Sequence, residues 1–170
     1  MIERFRLTYE KINALRYISH LDMQKVWTRI LFRASLPIAY TQGFHPTPKM
    51  AWGWPLALGW SGTNELMDIW LDPSEGKSIS SVELCDRINR NSPDGLIVRN
   101  AEEQPVYDPS LTVLIQSAKY QLTFPPFVPL TEIEGKMTEL LARPELIWQR
   151  RTKSFDMKPL IEQWNGSLSD

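Results

Sequence analysis

Between residues 4 and 34 the apolar period changes once, from two to about 3.6 residues, and that single change restricts the fold more than any other feature of the chain. Phe5, Leu7 and Tyr9 alternate with Arg4, Arg6 and Thr8, the pattern of a strand with one buried face. Met23, Val26, Trp27, Ile30, Leu31 and Ala34 then recur at three- and four-residue steps, the stripe of an amphipathic helix, and Pro37 ends it. Ser19 opens the helix as a cap, and Asp22, three positions on, reaches back in a capping-box arrangement. Between the two, Leu15 to Ile18 reads as a short extended piece.

The segments that follow predict how this strand and helix are completed. Residues 50–60 are too apolar and aromatic for a free loop, but two glycines and a proline interrupt them, so a strand here is bulged or at an edge. Residues 60–65 read as a hairpin turn into a strand with Met67, Ile69 and Leu71 on one face and Leu66, Asp68 and Trp70 on the other. Pro73 to Lys77 reads as a loop, and the serines at 78, 80 and 81 as caps for a helix carrying Ile79, Val82, Cys85 and Ile88. Asp94-Gly95 turns the chain into a fourth strand at 96–99. The order β-α-β-β-α-β predicts an α+β, ferredoxin-like split βαβ domain over residues 1–104, an antiparallel sheet with both helices on one face.

From residue 105 to 170 a second α/β unit begins. It comprises an apolar piece at 110–118, a strand-like 119–124, a proline-stiffened linker, a helix with Ile133, Met137, Leu140 and Leu141, and an extended 146–151. The expectation is a unit that the chain leaves incomplete. No run approaches the roughly 20 apolar residues of a membrane helix, and the charged N-terminus lacks a signal-peptide pattern, so the cytoplasm is the expected location.

Charge singles out the first third. Residues 1–56 hold eight Lys and Arg against three Asp and Glu, and residues 57–145 hold seven against fourteen, so an anionic partner is expected at the N-terminal third. Both histidines lie there. His20 stands at the helix start, and His45 in the stretch Gln42-Gly43-Phe44-His45-Pro46-Thr47-Pro48-Lys49, whose prolines and glycine predict a stiff loop. Lys25, Arg29 and Arg33 form a basic stripe on the helix, either a solvated face or a track for phosphates. Trp52 and Trp54 flank a glycine and share a side if their strand is regular, which offers a ring to a base.

No phosphate loop, dinucleotide fingerprint or nucleophile elbow occurs, and the two histidines lack a recognisable metal spacing, so no metal is expected. His20 and His45 are the only catalytic candidates, and catalysis by this chain alone is not the expectation. A single cysteine, Cys85, excludes an internal disulfide and an iron-sulfur cluster ligated by this chain's own thiolates, and its apolar spacing assigns it to the core.

Residues 15–59 carry a more specific mark. The helix start Ser19-His20-Leu21-Asp22, the end Arg33-Ala34-Ser35-Leu36-Pro37, the loop Tyr40-Thr41-Gln42-Gly43-Phe44-His45-Pro46-Thr47-Pro48-Lys49, and Pro55, Leu56 and Gly59 resemble a bacterial family of radical-SAM-linked proteins. Asp156-Met157-Lys158-Pro159-Leu160-Ile161 is similar to a later element of the same family. Thr47 departs from the Arg or His often found there. The resemblance implies a partner encoded beside or fused to this chain, a radical S-adenosylmethionine protein with a cobalamin-type domain. That partner would supply the iron-sulfur cluster, S-adenosylmethionine and, where present, cobalamin, while this chain binds no cofactor.

Two readings follow. In one the chain is an accessory, substrate-binding domain that holds RNA: Lys25, Arg29, Arg33 and Lys49 meet phosphate, while Gln42, Gly43, Phe44, His45 and Trp52 or Trp54 meet a base. In the other it is a protein-docking module for the radical enzyme, without nucleic-acid contact, and Trp52, Trp54 and Trp60 form its apolar patch.

Overall fold

A computed structural model describes residues 1–73 and 78–167. The chain forms two compact units, residues 1–118 and 119–170. In the first, β1 (Glu3–Lys11), α1 (His20–Arg33), β2 (Met50–Trp52), β3 (Gly62–Leu71), α2 (Ser81–Arg90) and β4 (Leu96–Gln104) follow in the β-α-β-β-α-β order. The sheet runs β2-β3-β1-β4 with every pair antiparallel, the ferredoxin-like arrangement.

One sheet face makes the core. Phe5, Leu7 and Tyr9 of β1 and Met67, Ile69 and Leu71 of β3 pack with Met23, Trp27, Ile30 and Leu31 of α1 and with Leu84 and Ile88 of α2. Trp27 meets the Tyr9 ring edge-on, centroids 5.1 Å apart. In β4 the register slips by one residue opposite Thr8 and Tyr9. There the Asn89 side chain takes the place of a ladder partner, donating to the Val98 carbonyl at 2.9 Å and accepting from its N–H at 2.8 Å.

The other face is polar and covered. Asp68, fully buried, accepts from Arg4 and Arg6. The Arg4 guanidinium spends its remaining hydrogens on the carbonyls of Pro105, Asp108 and Pro109 at 3.4, 2.7 and 3.0 Å. All five of its donors are thus engaged, and the segment leaving β4 is strapped across the sheet as far as a short helix, α3 (Leu111–Leu114), whose Leu111 is buried.

Local departures from the sequence reading have local causes. Residues 13–17 form a 3-10 turn rather than an extended piece, with Asn13 at φ 55° beginning it. β3 starts at Gly62, so the reversal occupies residues 53–61 and not 60–65. Ile79 is buried but precedes the cap Ser80; α2 buries Ile88 and packs Cys85 against the core as expected, while Val82 is exposed and Leu84 fills the core in its stead. Asp22 reaches back not to a backbone N–H but to the Ser19 hydroxyl, at 2.7 Å, while Ser19 caps the Asp22 N–H at 3.1 Å. Of the expected loop at 73–77, residues 74–77 lie outside the described residues.

The second unit holds α4 (Leu130–Ala142) and an antiparallel hairpin, β5 (Ile147–Arg150) with β6 (Lys153–Asp156). Ile133, Met137, Leu140 and Leu141 are its half-buried helix face, and the strand-like 119–124 carries no strand. None of the unit's described residues is fully buried.

Candidate functional site

Ser19 caps α1 and so places His20 at its first turn, beside the end of β2. The His20 ring meets Trp52 edge-on, centroids 5.3 Å apart at 88°. Its Nε2 lies 3.1 Å from the Gln24 Nε2, and with that amide donating, the His20 nitrogen accepts. Tyr9, Lys11, His20, Trp52, Trp54 and Glu65 border a cleft of about 10 Å³, room for about one water.

The charged members of this cleft continue the buried faces of their strands. Lys11 follows Phe5, Leu7 and Tyr9, and Glu65 precedes Met67, Ile69 and Leu71. Lys11 is only 4% exposed and donates from Nζ to the Ile18 carbonyl at 3.3 Å. Burial pulls its pKa below the ordinary lysine value, against the opposing pull of Glu65. Burial pushes the Glu65 carboxyl up, against Lys11. The Tyr9 phenol is pushed up by burial first and by Glu65 second. The cleft is lined by buried and half-buried charged groups and aromatic rings, a polar plug where the core opens.

Lys49 lies on the other side of β2. Its Nζ stands 4.8 Å from the centroid of the Trp70 ring, which also carries the Arg4 guanidinium at 5.2 Å. The loop before it is tied at its base: Tyr40 bridges Pro48, Thr41 donates to the Thr47 carbonyl at 2.9 Å, and Lys49 donates to the Ala39 carbonyl at 2.8 Å. Gln42, Gly43, Phe44 and His45 form an exposed tip, where Gly43 takes φ 133°, a conformation that favours glycine, and Phe44 stands fully in solvent.

On α1, Lys25 pairs with Asp22 at 3.0 Å, whereas Arg29 and Arg33 are exposed and have no partner among the described residues. Phe32, 66% exposed, sits between them along the chain, one turn after Arg29. Phe32, Ser35, Tyr40 and Pro48 border a groove of about 280 Å³ floored by Leu31, Leu36 and Ile38.

The structure therefore brings His20 to Trp52 and Trp54, and the end of α1 to the base of the loop. The cleft at His20 is bordered by neither Gln42, His45 nor Lys49. Sequence reasoning missed Lys11 and Glu65, although each is a charge in phase with a buried face. It also missed Phe32 and Tyr40 as groove walls. Among the described residues, no group of three or more His, Cys, Asp or Glu side chains is arranged to hold a metal ion.

A family model described as an uncharacterised protein conserved in bacteria (DUF2344) matches residues 4–169. The chain belongs to this family. Comparisons with curated proteins and with solved structures gave no match. The family match runs through both compact units.

Proposed function

We propose that this member of the family is an accessory module that binds RNA for a radical S-adenosylmethionine partner, through the exposed side of α1 and the loop between Tyr40 and Pro48. The observation that carries the reading is the pair of exposed arginines without a partner among the described residues, Arg29 and Arg33, on the same helix as Phe32, whose exposed ring walls an apolar groove with Tyr40. Guanidinium groups meet phosphates, and a ring-walled groove takes a base by stacking. The open-sheet platform of other ferredoxin-like RNA binders is not offered here, because the strap from Pro105 to Leu111 lies over that face. The partnership rests on the sequence resemblance, and the partner would bring the cluster, S-adenosylmethionine and, where it has that domain, cobalamin.

Fluorescence anisotropy of a labelled single-stranded RNA tests the reading. Affinity is expected to fall with salt at a log-log slope of about −0.7 for each phosphate neutralised, and Arg29→Glu with Arg33→Glu to weaken binding about tenfold or more. No binding at about 50 mM salt refutes it.

Trp54 and Leu58, both exposed between β2 and β3, favour a second reading, a docking patch for the partner protein. Under it, Trp54→Ala weakens co-purification of the partner while the α1 arginine variants leave it intact.

A further inference from the structure

The β5–β6 hairpin breaks a rule of strand pairing. Its register sets Trp148 opposite Phe155 and Arg150 opposite Lys153. Side chains alternate across a strand, so all four share one face. Like charges directly opposite one another destabilise a pair, yet here two cations face each other. A third cation, Arg151, occupies the two-residue turn at φ 53°, a conformation that ordinarily selects glycine or asparagine. All three are exposed, and none has an acidic partner among the described residues.

The nearest acid in the hairpin is committed elsewhere. Asp156 lies on the opposite face by alternation, and its carboxylate accepts the Leu146 N–H at 2.7 Å and the Lys158 N–H at 3.0 Å, closing the hairpin's base. The cation pair therefore lacks a counter-ion within its own element. Beside it, Trp148 and Phe155 are 41% and 45% exposed, with ring centroids 5.1 Å apart. Along one strand the cation and the ring are two residues apart, about 7 Å, comparable to the separation of a base from the phosphate of its own nucleotide.

We propose that this face of the hairpin is a second contact for single-stranded RNA, with a phosphate between Arg150 and Lys153 and a base stacked on Trp148 and Phe155. The proposal adds a site to the α1 surface and rests on RNA being the ligand class. A membrane surface fits less well, since the opposite face of the four-residue strands carries Gln149, Ser154 and Asp156 beside a single apolar residue, Ile147.

The test uses the full chain and a fluorescein-labelled 12-nucleotide oligouridine, with anisotropy read at several salt concentrations. Arg150→Glu with Lys153→Glu is expected to weaken binding about tenfold or more and to flatten the salt slope by about 1.4, the share of two phosphate contacts. Trp148→Ala is expected to weaken it about fivefold or more with the slope unchanged. Should the glutamate pair lower the melting temperature, the Arg150→Gln with Lys153→Gln pair, which removes charge without reversing it, is expected to flatten the slope equally. Wild-type affinity and slope in the glutamine pair overturn the proposal. If the hairpin variants lose binding and the α1 arginine variants do not, the hairpin proposal stands and the α1 assignment falls; the reverse result sinks the hairpin alone. Failure of the wild type to bind RNA removes both, and equal or tighter binding to phosphatidylserine vesicles overturns the choice of RNA here.

Discussion

Lys11 and Glu65 stand where the buried faces of β1 and β3 reach the open end of the sheet, one strand contributing a cation and the other an anion. Burial disfavours the charged form of each, so the lysine's pKa is pulled down and the carboxyl's is pushed up. The linkage sign for Glu65 follows from its raised folded-state pKa. Between the ordinary glutamate value and that raised value the folded protein binds more protons than the unfolded one, so its stability rises as pH falls through this window. Glu65→Gln removes the titration. The stability of wild type relative to this variant, from urea unfolding, is expected to improve as pH is lowered from neutrality towards the ordinary glutamate value. A difference that stays constant or reverses would show that Glu65 is solvated like a surface carboxylate. The same pair marks the limit of pattern reading at a single residue. A charge at the end of an apolar alternation looks like the end of burial, whereas Lys11 remains buried because its aliphatic stem continues the face and its amine finds the Ile18 carbonyl.

The strap after β4 hangs on one guanidinium. Arg4 is held by the Asp68 carboxylate on β3 and in turn holds three carbonyls of the segment from Pro105 to Pro109, so a strand-to-strand ion pair positions a non-regular element. Asp68→Ala would leave both Arg4 and Arg6 facing a carboxylate that is gone, at a cost of about 3–5 kcal/mol. Calorimetry measures that loss, and faster proteolysis within residues 105–118 is expected to accompany it. Strands and helices of this sheet were legible because each carries its own period: Phe5, Leu7 and Tyr9 announce β1, and Met23, Trp27, Ile30 and Leu31 announce α1. The strap was not, since its order comes from Arg4 and Asp68, two charges 64 residues apart in the chain with no local signal to join them. The edge strand β2 is only three residues long; past it Gly53 still donates to the Leu66 carbonyl at 3.0 Å, and an added Cβ there would meet the Ile115 side chain at 2.6 Å, a close approach that the apolar pattern does not announce.

At the scale of the whole chain, two units with different kinds of cohesion share one family frame. The first buries an apolar cluster between a sheet and two helices, while none of the second unit's described residues is fully buried. Native-state hydrogen exchange is expected to show amides of β1 and β3 opening only with global unfolding and those of α4 and β5–β6 opening by cheaper local routes; equal protection in both units would contradict this. The candidate site was legible in part. Arg29 and Arg33 are exposed, as a stripe away from the apolar face requires, but His20 and His45 do not border one cleft, and His45 lies at the exposed tip of a loop closed at its own base. That closure has a consequence for how the chain tolerates change. With Tyr40 bridged to Pro48 and Thr41 bonded to Thr47, the sheet sees the same anchored ends whatever hangs between them. Loop closure costs only about 0.6 kcal/mol for each doubling of length, so residues 42–46 form a socket into which a longer or chemically different peptide can be spliced while the rest of the domain keeps its register.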